Sequence, residues 1–335
     1  MKNQKFGIEI EMTGITRNTA SKVIAGFFNT SATHVGGMYD SYSIRDNEGR
    51  QWKIVRDSSI RCESRSNQSA SSLHSVEFVS PICKYNDIET IQELVRCLRR
   101  AGAKVNASCG IHVHINAEPH TPKTLRNIVN IMASKEDLLY KTLKVNISRS
   151  HYCQKMDTTF LDEINKRPPM SMDQLKYMWY DGEDNSYRHY DDSRYHALNL
   201  HSVFNKGTIE FRLFNSTLHA GEVKSYLQLC LAISHQALIQ KSARRAKTIS
   251  DNEKYTFRTW LIRLGLNGDE FKTARQHLLK NLDGNIAWRD PAQAERQKER
   301  LALRQTQEQS ENIEQPEVET VDEEQESTSG FVMSM

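Results

Sequence analysis

The chain has 335 residues, of which 38% are hydrophobic and 26% are charged, and its formal net charge is +3 at pH 7. This composition is typical of a water-soluble globular protein with enough apolar residues for one large domain or two small ones. There is no run of about 18 apolar residues, which excludes a membrane-spanning helix, and no apolar signal-peptide core follows Met1.

The charge is unevenly distributed along the chain. From Thr306 to Met335 there are nine acidic residues and no Lys or Arg, so only 33 of the 42 acidic residues but all 45 basic ones precede Thr306. The first 305 residues therefore carry a formal charge of +12, which suits anionic ligands such as nucleotides or simple solubility; nucleic acid is not an expected partner. The acidic tail has few large apolar residues, and we expect it to be disordered.

Alternation of apolar and polar residues predicts six strands, in chain order KFGIEIEM, RQWKIVRDS, HSVEFVSP, GIHVHIN, ALNLHS and GTIEFRLFN. A hairpin is expected within residues 29–50, which contain GGMYD and DNEGR. Helices are expected at 18–29, 87–101 (with Asn86 as the N-cap), 121–145 and 222–240, with two short ones between 247 and 283. Interleaved helices and cleanly alternating strands favour an α+β fold with a mainly antiparallel sheet.

The domain organisation follows from the same patterns. We expect a catalytic domain at 1–245, a small helical extension at 246–288 and a charged, mostly disordered tail at 289–335. Segment 156–193 is polar and rich in aromatic residues, which predicts a long loop or insertion near a site. The six cysteines form no CxxC pair, which is typical of reduced thiols in a cytoplasmic protein.

The strands share one unusual property, which is that ionisable side chains fall on one face of five of them. If the strands share a sheet, that face carries Glu9, Glu11, Asp57, Glu77, His112, His114, Glu210 and Arg212. Carboxylates with some imidazole suit Mg²⁺ or Mn²⁺, and an arginine on the same surface suits phosphate chemistry. The alternative is five unrelated strands that each present polar residues to water.

These residues, in this order, resemble the amidoligase family, which is related to glutamate–cysteine ligase and glutamine synthetase. The matching segments are FGIEIEM, WKIVRDSSI, SVEFVSP, CGIHVHI, RYHALNL and GTIEFRLF, within about residues 4–245. The resemblance implies a curved antiparallel sheet with helices on its convex face, and a concave face that binds ATP and Mg²⁺ or Mn²⁺. It also implies an ATP-dependent carboxylate–amine ligase that acts through an acyl phosphate.

The resemblance also implies a role for each matching residue. The implied metal ligands are Glu9, Glu11, Asp57, Glu77, His112 and Glu210. The implied ATP or substrate contacts are His112, His114, Arg194, Asn199 and Arg212. Arg212, Glu210 and Asp57 are the expected catalytic residues.

Two other functions remain open from the sequence. One is a metal-dependent hydrolase that activates water with His112, His114 and carboxylates, although zinc hydrolases normally use more nitrogen ligands. The other is a non-catalytic binding module. The sequence leaves open the oligomeric state and the carboxylate and amine substrates, which range from small molecules and peptides to a protein side chain.

Overall fold

The computed structural model of the chain describes residues 1–313. These residues belong to two units, 1–286 and 287–335. The described part of the second unit contains one helix, Pro291–Ile313, which we number α10 below. This helix continues past Thr306, where we expected disorder, and the rest of the predicted acidic tail lies outside the described residues.

An eight-stranded sheet forms the centre of the first unit, and every neighbouring pair of strands is antiparallel. Its strands are β1 (Phe6–Met12), β2 (Ala32–Gly36), β3 (Ser41–Arg45), β4 (Gln51–Val55), β5 (Val76–Val79), β6 (Gly110–Asn116), β7 (Leu198–Asn199) and β8 (Thr208–Asn215). Their order across the sheet is β2-β3-β4-β5-β1-β6-β8-β7. All six predicted strands are present, the predicted hairpin is β2–β3, and the α+β class with an antiparallel sheet is confirmed.

The helices of the first unit lie between these strands. They are α1 (Arg17–Phe28), α2 (Asp87–Arg100), α3 (Pro122–Leu143), α4 (Thr158–Lys166), α5 (Met172–Trp179), α6 (His201–Lys206), α7 (Ala220–Ile239), α8 (Glu253–Arg263) and α9 (Lys272–Leu279). Thr121 and Thr124 form a capping box at the start of α3, with Pro122 in its first turn. Asn86 precedes α2 but makes no capping hydrogen bond with its side chain; instead the Asp87 carboxylate accepts from the Lys84 amide at 2.7 Å.

The prediction of a long loop at 156–193 is wrong for much of that segment, because it contains α4 and α5. Each helix is short and buries few side chains, Phe160 and Ile164 in α4 and Leu175 and Trp179 in α5. The rings of Phe160 and Trp179 meet edge to face at 5.0 Å. Packing between the two helices therefore outweighs the polar composition, and the longest irregular stretch of the segment is residues 180–191.

The two faces of the sheet differ in chemistry. Ile8, Ile10, Val113 and Phe211 are almost completely buried in the core, where α2, α3 and α7 pack together. Since successive residues of a strand point to opposite faces, this packing turns the alternating acidic and histidine side chains to the other face. Of the helices within residues 1–313, none combines the length and apolar composition that crossing a bilayer requires.

Candidate metal and phosphate site

Strand register brings the predicted site residues together in the middle of the sheet. Glu9 lies opposite His112, Glu11 lies opposite Glu77, and His114 lies opposite Glu210. Residues directly opposite each other on antiparallel strands share a face and have Cβ atoms about 5 Å apart. Four adjacent strands, β5, β1, β6 and β8, therefore contribute side chains to one surface.

Asp57 joins this surface from just beyond the end of β4. Its backbone amide donates to the Ser75 hydroxyl at 3.0 Å, and its carboxylate accepts from the Ser59 amide at 2.7 Å. These bonds fix the turn after β4 so that the Asp57 carboxylate reaches Glu11 and Glu77.

Three overlapping groups of side chains have the composition and spacing of divalent-cation sites. They are Glu9–Glu77–His112, Glu9–His114–Glu210 and Glu11–Asp57–Glu77, and in each group the possible ligand atoms lie within 4.8 Å of one another. We call the seven residues of these groups the acidic array. Each group is mainly carboxylate, which suits Mg²⁺ or Mn²⁺ better than zinc. Within residues 1–313, the buried Nε2 atom of His114 and the buried Oδ1 atom of Asn199 make no hydrogen bond, although Glu9 Oε1 lies 3.4 Å from His114 Nε2. Such unsatisfied atoms are expected where a ligand completes the site.

The part of the acidic array around Glu11 and Glu77 has several carboxylates close together and few basic groups to balance their charge. Burial, followed by the nearby charge of Asp57, raises the pKa of Glu11 to about 8, although the Gly110 amide donates to its carboxylate at 2.6 Å. Burial and the charges of Glu9, Glu11 and Asp57 likewise hold the pKa of Glu77 well above its usual range. A bound cation would relieve this repulsion.

Around Glu9 and Glu210, neighbouring basic groups balance the negative charge of the carboxylates. Burial would raise the pKa of Glu9, but His114 and His112 outweigh it and hold that pKa well below its usual range. Burial and the charge of Arg212 lower the pKa of His112 to about 4, although Glu9 lies 3.1 Å from its Nδ1 atom. At neutral pH His112 is therefore an uncharged imidazole, the form that binds metals.

Arg212 is held beside Glu210. Its Nη1 atom donates to Glu210 Oε1 at 2.5 Å, and its Nε donates to the Tyr152 carbonyl at 3.4 Å. The Asn199 amide donates to the other oxygen, Oε2 of Glu210, at 2.6 Å. Both oxygens of Glu210 thus accept hydrogen bonds already, so a cation at this group would share Glu210 with Arg212.

One predicted site residue lies apart from this surface. Arg194 stacks over the rings of Tyr190 and Tyr195, with its guanidinium carbon 5.5 and 5.7 Å from their centres, and donates to the His189 carbonyl at 3.1 Å. Within residues 1–313, no hydrogen bond or salt bridge joins it to the acidic array. The expectation that Arg194 contacts ATP or substrate therefore stays a prediction.

The irregular segment that follows α5 lines a cavity. A cavity of about 430 Å³ is lined by Trp179, Tyr180, Asn185, Arg188, Tyr190, Asp191, Asp192 and Ser193.

Cys109 adjoins the site but is not suited to act as a nucleophile. Burial raises the pKa of its thiol to about 11. The other five cysteines of the chain are also free thiols.

Sequence patterns missed Arg149. This residue ends a short 3₁₀ turn, Ile147–Arg149, and is only 4% exposed. Its guanidinium donates to the backbone carbonyls of Phe214 and Arg212, the latter at 3.2 Å. A single arginine in an irregular segment has no periodic pattern, so nothing in its neighbourhood predicted burial.

Comparison with known proteins gives one result for this region of the chain. A family model described as "Putative amidoligase enzyme" matches residues 2–234. A search of curated proteins finds no match. The matched span contains every residue of the acidic array together with Arg149, Asn199 and Arg212.

Proposed function

The chain belongs to the family described as putative amidoligase enzymes, and on this premise we propose that it is an ATP-dependent carboxylate–amine ligase. Family membership indicates an amide-forming ligase. The observation that carries the finer proposal is the set of three overlapping carboxylate–imidazole groups with Arg212 beside them on one sheet face. We include in the proposal a concave, glutamine synthetase-like shape for this face.

The acidic array supplies the ligands for divalent cations. Glu9, Glu11, Asp57, Glu77, His112 and Glu210 would hold Mg²⁺ or Mn²⁺, with His114 beside them. When bound, these ions neutralise the negative charge of ATP and of the transferred phosphoryl group. Burial and, after it, repulsion between neighbouring carboxylates raise the pKa values of Glu11 and Glu77, and a bound cation would offset both effects.

The reaction then has two steps, neither of which uses a covalent enzyme intermediate. A substrate carboxylate oxygen attacks the γ-phosphorus of ATP, ADP leaves, and an acyl phosphate forms. An uncharged amine attacks the acyl carbon, phosphate leaves with the C–O bond electrons, and the new amide loses one proton. Arg212 would bind phosphate oxygens with the N–H groups that it does not donate to Glu210 and Tyr152.

The substrates are a carboxylate and an amine, and each is a small molecule or a peptide. A protein side chain in either role remains an alternative. Mass spectrometry of purified protein incubated with ATP, Mg²⁺ and fractionated metabolite pools would identify them. Hydroxylamine added to the same incubation would trap an acyl phosphate as a hydroxamate. We expect ADP formation that depends on a carboxylate, and a product heavier than either substrate.

The same incubation separates the competing functions. A metal-dependent hydrolase would cleave a substrate at the same rate with and without ATP. A binding module would bind Mn²⁺ or nucleotide without turnover. Either result, or the absence of Mn²⁺ binding in calorimetry, would contradict the ligase proposal.

A further inference from the structure

The pairing of β6 with β8 contains an irregularity beside Arg212. Ile111 lies opposite Phe214, whereas Val113 lies opposite Phe211. The step along β8 is thus one residue longer than the step along β6, which defines a β-bulge at Arg212 and Leu213, opposite His112. Such bulges bend a strand and change where its side chains point.

The bulge changes which residues of β8 face the helices. Strict alternation would place Phe214 on the same face as Glu210 and Arg212. Instead, its ring stacks on that of Tyr226 in α7, with centres 4.4 Å apart. The extra residue therefore lets β8 present both Glu210 and Arg212 to the acidic array while Phe214 returns to the core.

Arg149 binds the backbone on both sides of the bulge. One arm of its guanidinium, Nη1, donates to the Phe214 carbonyl, and the other, Nη2, donates to the Arg212 carbonyl at 3.2 Å. These carbonyls flank Leu213. A planar guanidinium can make two such bonds at a fixed separation, whereas a lysine ammonium is a compact charge without that geometry.

The packing around Arg149 leaves space for its side chain. A Cβ atom at Gly110 would collide with the guanidinium, so only glycine leaves space for it at that position. No salt bridge to a carboxylate is present for Arg149 within residues 1–313. A buried charge without such a partner is costly, which argues that its position serves more than stability.

The same segment also contacts the side chain of Arg212. The Tyr152 carbonyl accepts from Arg212 Nε at 3.4 Å, so residues 149–152 contact both the backbone and the guanidinium of Arg212. Without the fork of Arg149, the extra residue could shift along β8. A shift by one position would turn Arg212 away from the acidic array, because neighbouring residues of a strand face opposite sides.

We propose that Arg149 is a positioning residue: its guanidinium fixes the β8 bulge and so aims Arg212 at the anion bound on the acidic array. The identity of that anion as a nucleotide phosphate rests on the proposed function, whereas the fixing of the bulge does not. Arg149 is expected to act through Arg212 rather than to touch substrate.

A double-mutant cycle tests this inference with AMP-PNP and Mn²⁺ as the probes. Arg149→Lys should lower AMP-PNP affinity at least about tenfold, as should Arg212→Lys, because each loses a two-armed contact. The double variant should bind no more weakly than Arg212→Lys alone, since one residue acts through the other. Additive losses, or normal AMP-PNP affinity in Arg149→Lys, would overturn the proposal.

Two controls separate positioning from general damage. Arg275 also donates to a backbone carbonyl, that of Leu266 at 2.9 Å, and Arg275→Lys should leave AMP-PNP affinity unchanged. Mn²⁺ affinity should be the same in wild type and Arg149→Lys. If Arg149→Lys does not fold, Gly110→Ala displaces the guanidinium by a different route and should give the same loss of AMP-PNP affinity.

Hydrogen exchange tests the bulge independently of the proposed function. If wild-type protein does not bind AMP-PNP, the ligase proposal fails, but exchange at the amides of Arg212 to Phe214 can still be measured. Faster exchange at these amides in Arg149→Lys than in Arg275→Lys would support the fixing of the bulge. Equal exchange would overturn it.

Discussion

The hydroxyl groups of Tyr39 and Tyr190 lie 2.9 Å apart, although they come from opposite ends of the sheet. Tyr39 lies in the turn between β2 and β3, and Tyr190 lies in the irregular segment before β7, and β2 and β7 are the two outermost strands. The hydrogen bond with Tyr39 and, more weakly, the charge of Asp57 raise the pKa of Tyr190. The Tyr39 carbonyl accepts from the amide of Arg56, the residue before Asp57, at 2.8 Å, so this contact lies next in the chain to the Asp57 end of the acidic array.

Replacing Tyr39 or Tyr190 by Phe should loosen this contact with little loss of stability. Both side chains are exposed, so the free energy of unfolding should change by about 0.5 kcal/mol or less. Hydrogen exchange of residues 181–191 should become faster, because the segment loses its bond to the hairpin. Tyr187→Phe, in the same segment, is the control. Equal exchange in all three variants would show that the hydroxyl contact does not restrain the segment.

Glu11→Gln should weaken Mn²⁺ binding at least about tenfold without destabilising the metal-free protein. With a pKa of about 8, Glu11 is mostly protonated at pH 7, and glutamine has nearly the same shape and can still accept from the Gly110 amide. Calorimetry and thermal melting measure the two effects. Glu118→Gln, an exposed change just after β6, is the control. Unchanged Mn²⁺ affinity would remove Glu11 from the proposed ligands.

Glu210→Gln should behave differently, because Glu210 neutralises Arg212. Removing one partner of a buried ion pair leaves the other charge uncompensated, which costs about 3 kcal/mol. We therefore expect a lower midpoint of urea unfolding in Glu210→Gln than in Glu11→Gln, together with weaker Mn²⁺ binding. Equal stability of the two variants would mean that Arg212 finds another partner.

Arg212→Lys separates a phosphate contact from a simple counter-charge. Lysine keeps the positive charge near Glu210 but loses the planar fork. If Arg212 stabilises the transferred phosphoryl group, kcat should fall by about 10²-fold or more, with little change in Mg²⁺ dependence. Steady-state kinetics at several Mg²⁺ concentrations would show this. A nearly normal kcat would assign Arg212 to the support of Glu210.

His120 should make stability depend on pH independently of the acidic array. Burial lowers the pKa of His120 to about 4 from 6.5, and the ring hydrogen-bonds Thr124 and Ser234 at 3.1 and 3.0 Å. As pH falls below 6.5, the unfolded chain binds this proton before the folded protein does. Stability should therefore fall between pH 6.5 and 4, by on the order of 2 kcal/mol at pH 5.

Urea unfolding at pH 7 and pH 5 measures the contribution of His120. In His120→Gln the loss of stability between these two pH values should be smaller than in wild type by that amount. The same loss in both proteins would show that other groups cause the acid sensitivity.

Alternation in the sequence predicted most of the site, because the side-chain period of a strand is fixed. Glu9, Glu11, His112 and Glu210 lie on the face where the alternation places them, since apolar neighbours such as Ile10 must face the core. Register could not be predicted, because it depends on which strands pair. The order that places β1 between β5 and β6 is a tertiary property.

The bulge and Arg149 could not be predicted from periodicity. GTIEFRLF alternates without interruption through Arg212, and the only signal of an inserted residue is the apolar Phe214 at a position that strict alternation turns to the polar face. Helices α4 and α5 were missed because each buries only two side chains, too few to give a clear helical pattern.

The central position of β1 has a consequence for how the protein is made. This strand leaves the ribosome before the strands that pair with it, because its neighbours β5 and β6 come from later parts of the chain and β8 follows later still. Glu9 and Glu11 therefore remain on an unpaired apolar strand until most of the first unit has been synthesised. Pairing over such long separations is slow and leaves strand edges open to aggregation. We expect the nascent chain to need protection until β8 emerges, and the acidic array to be among the last parts of the protein to form.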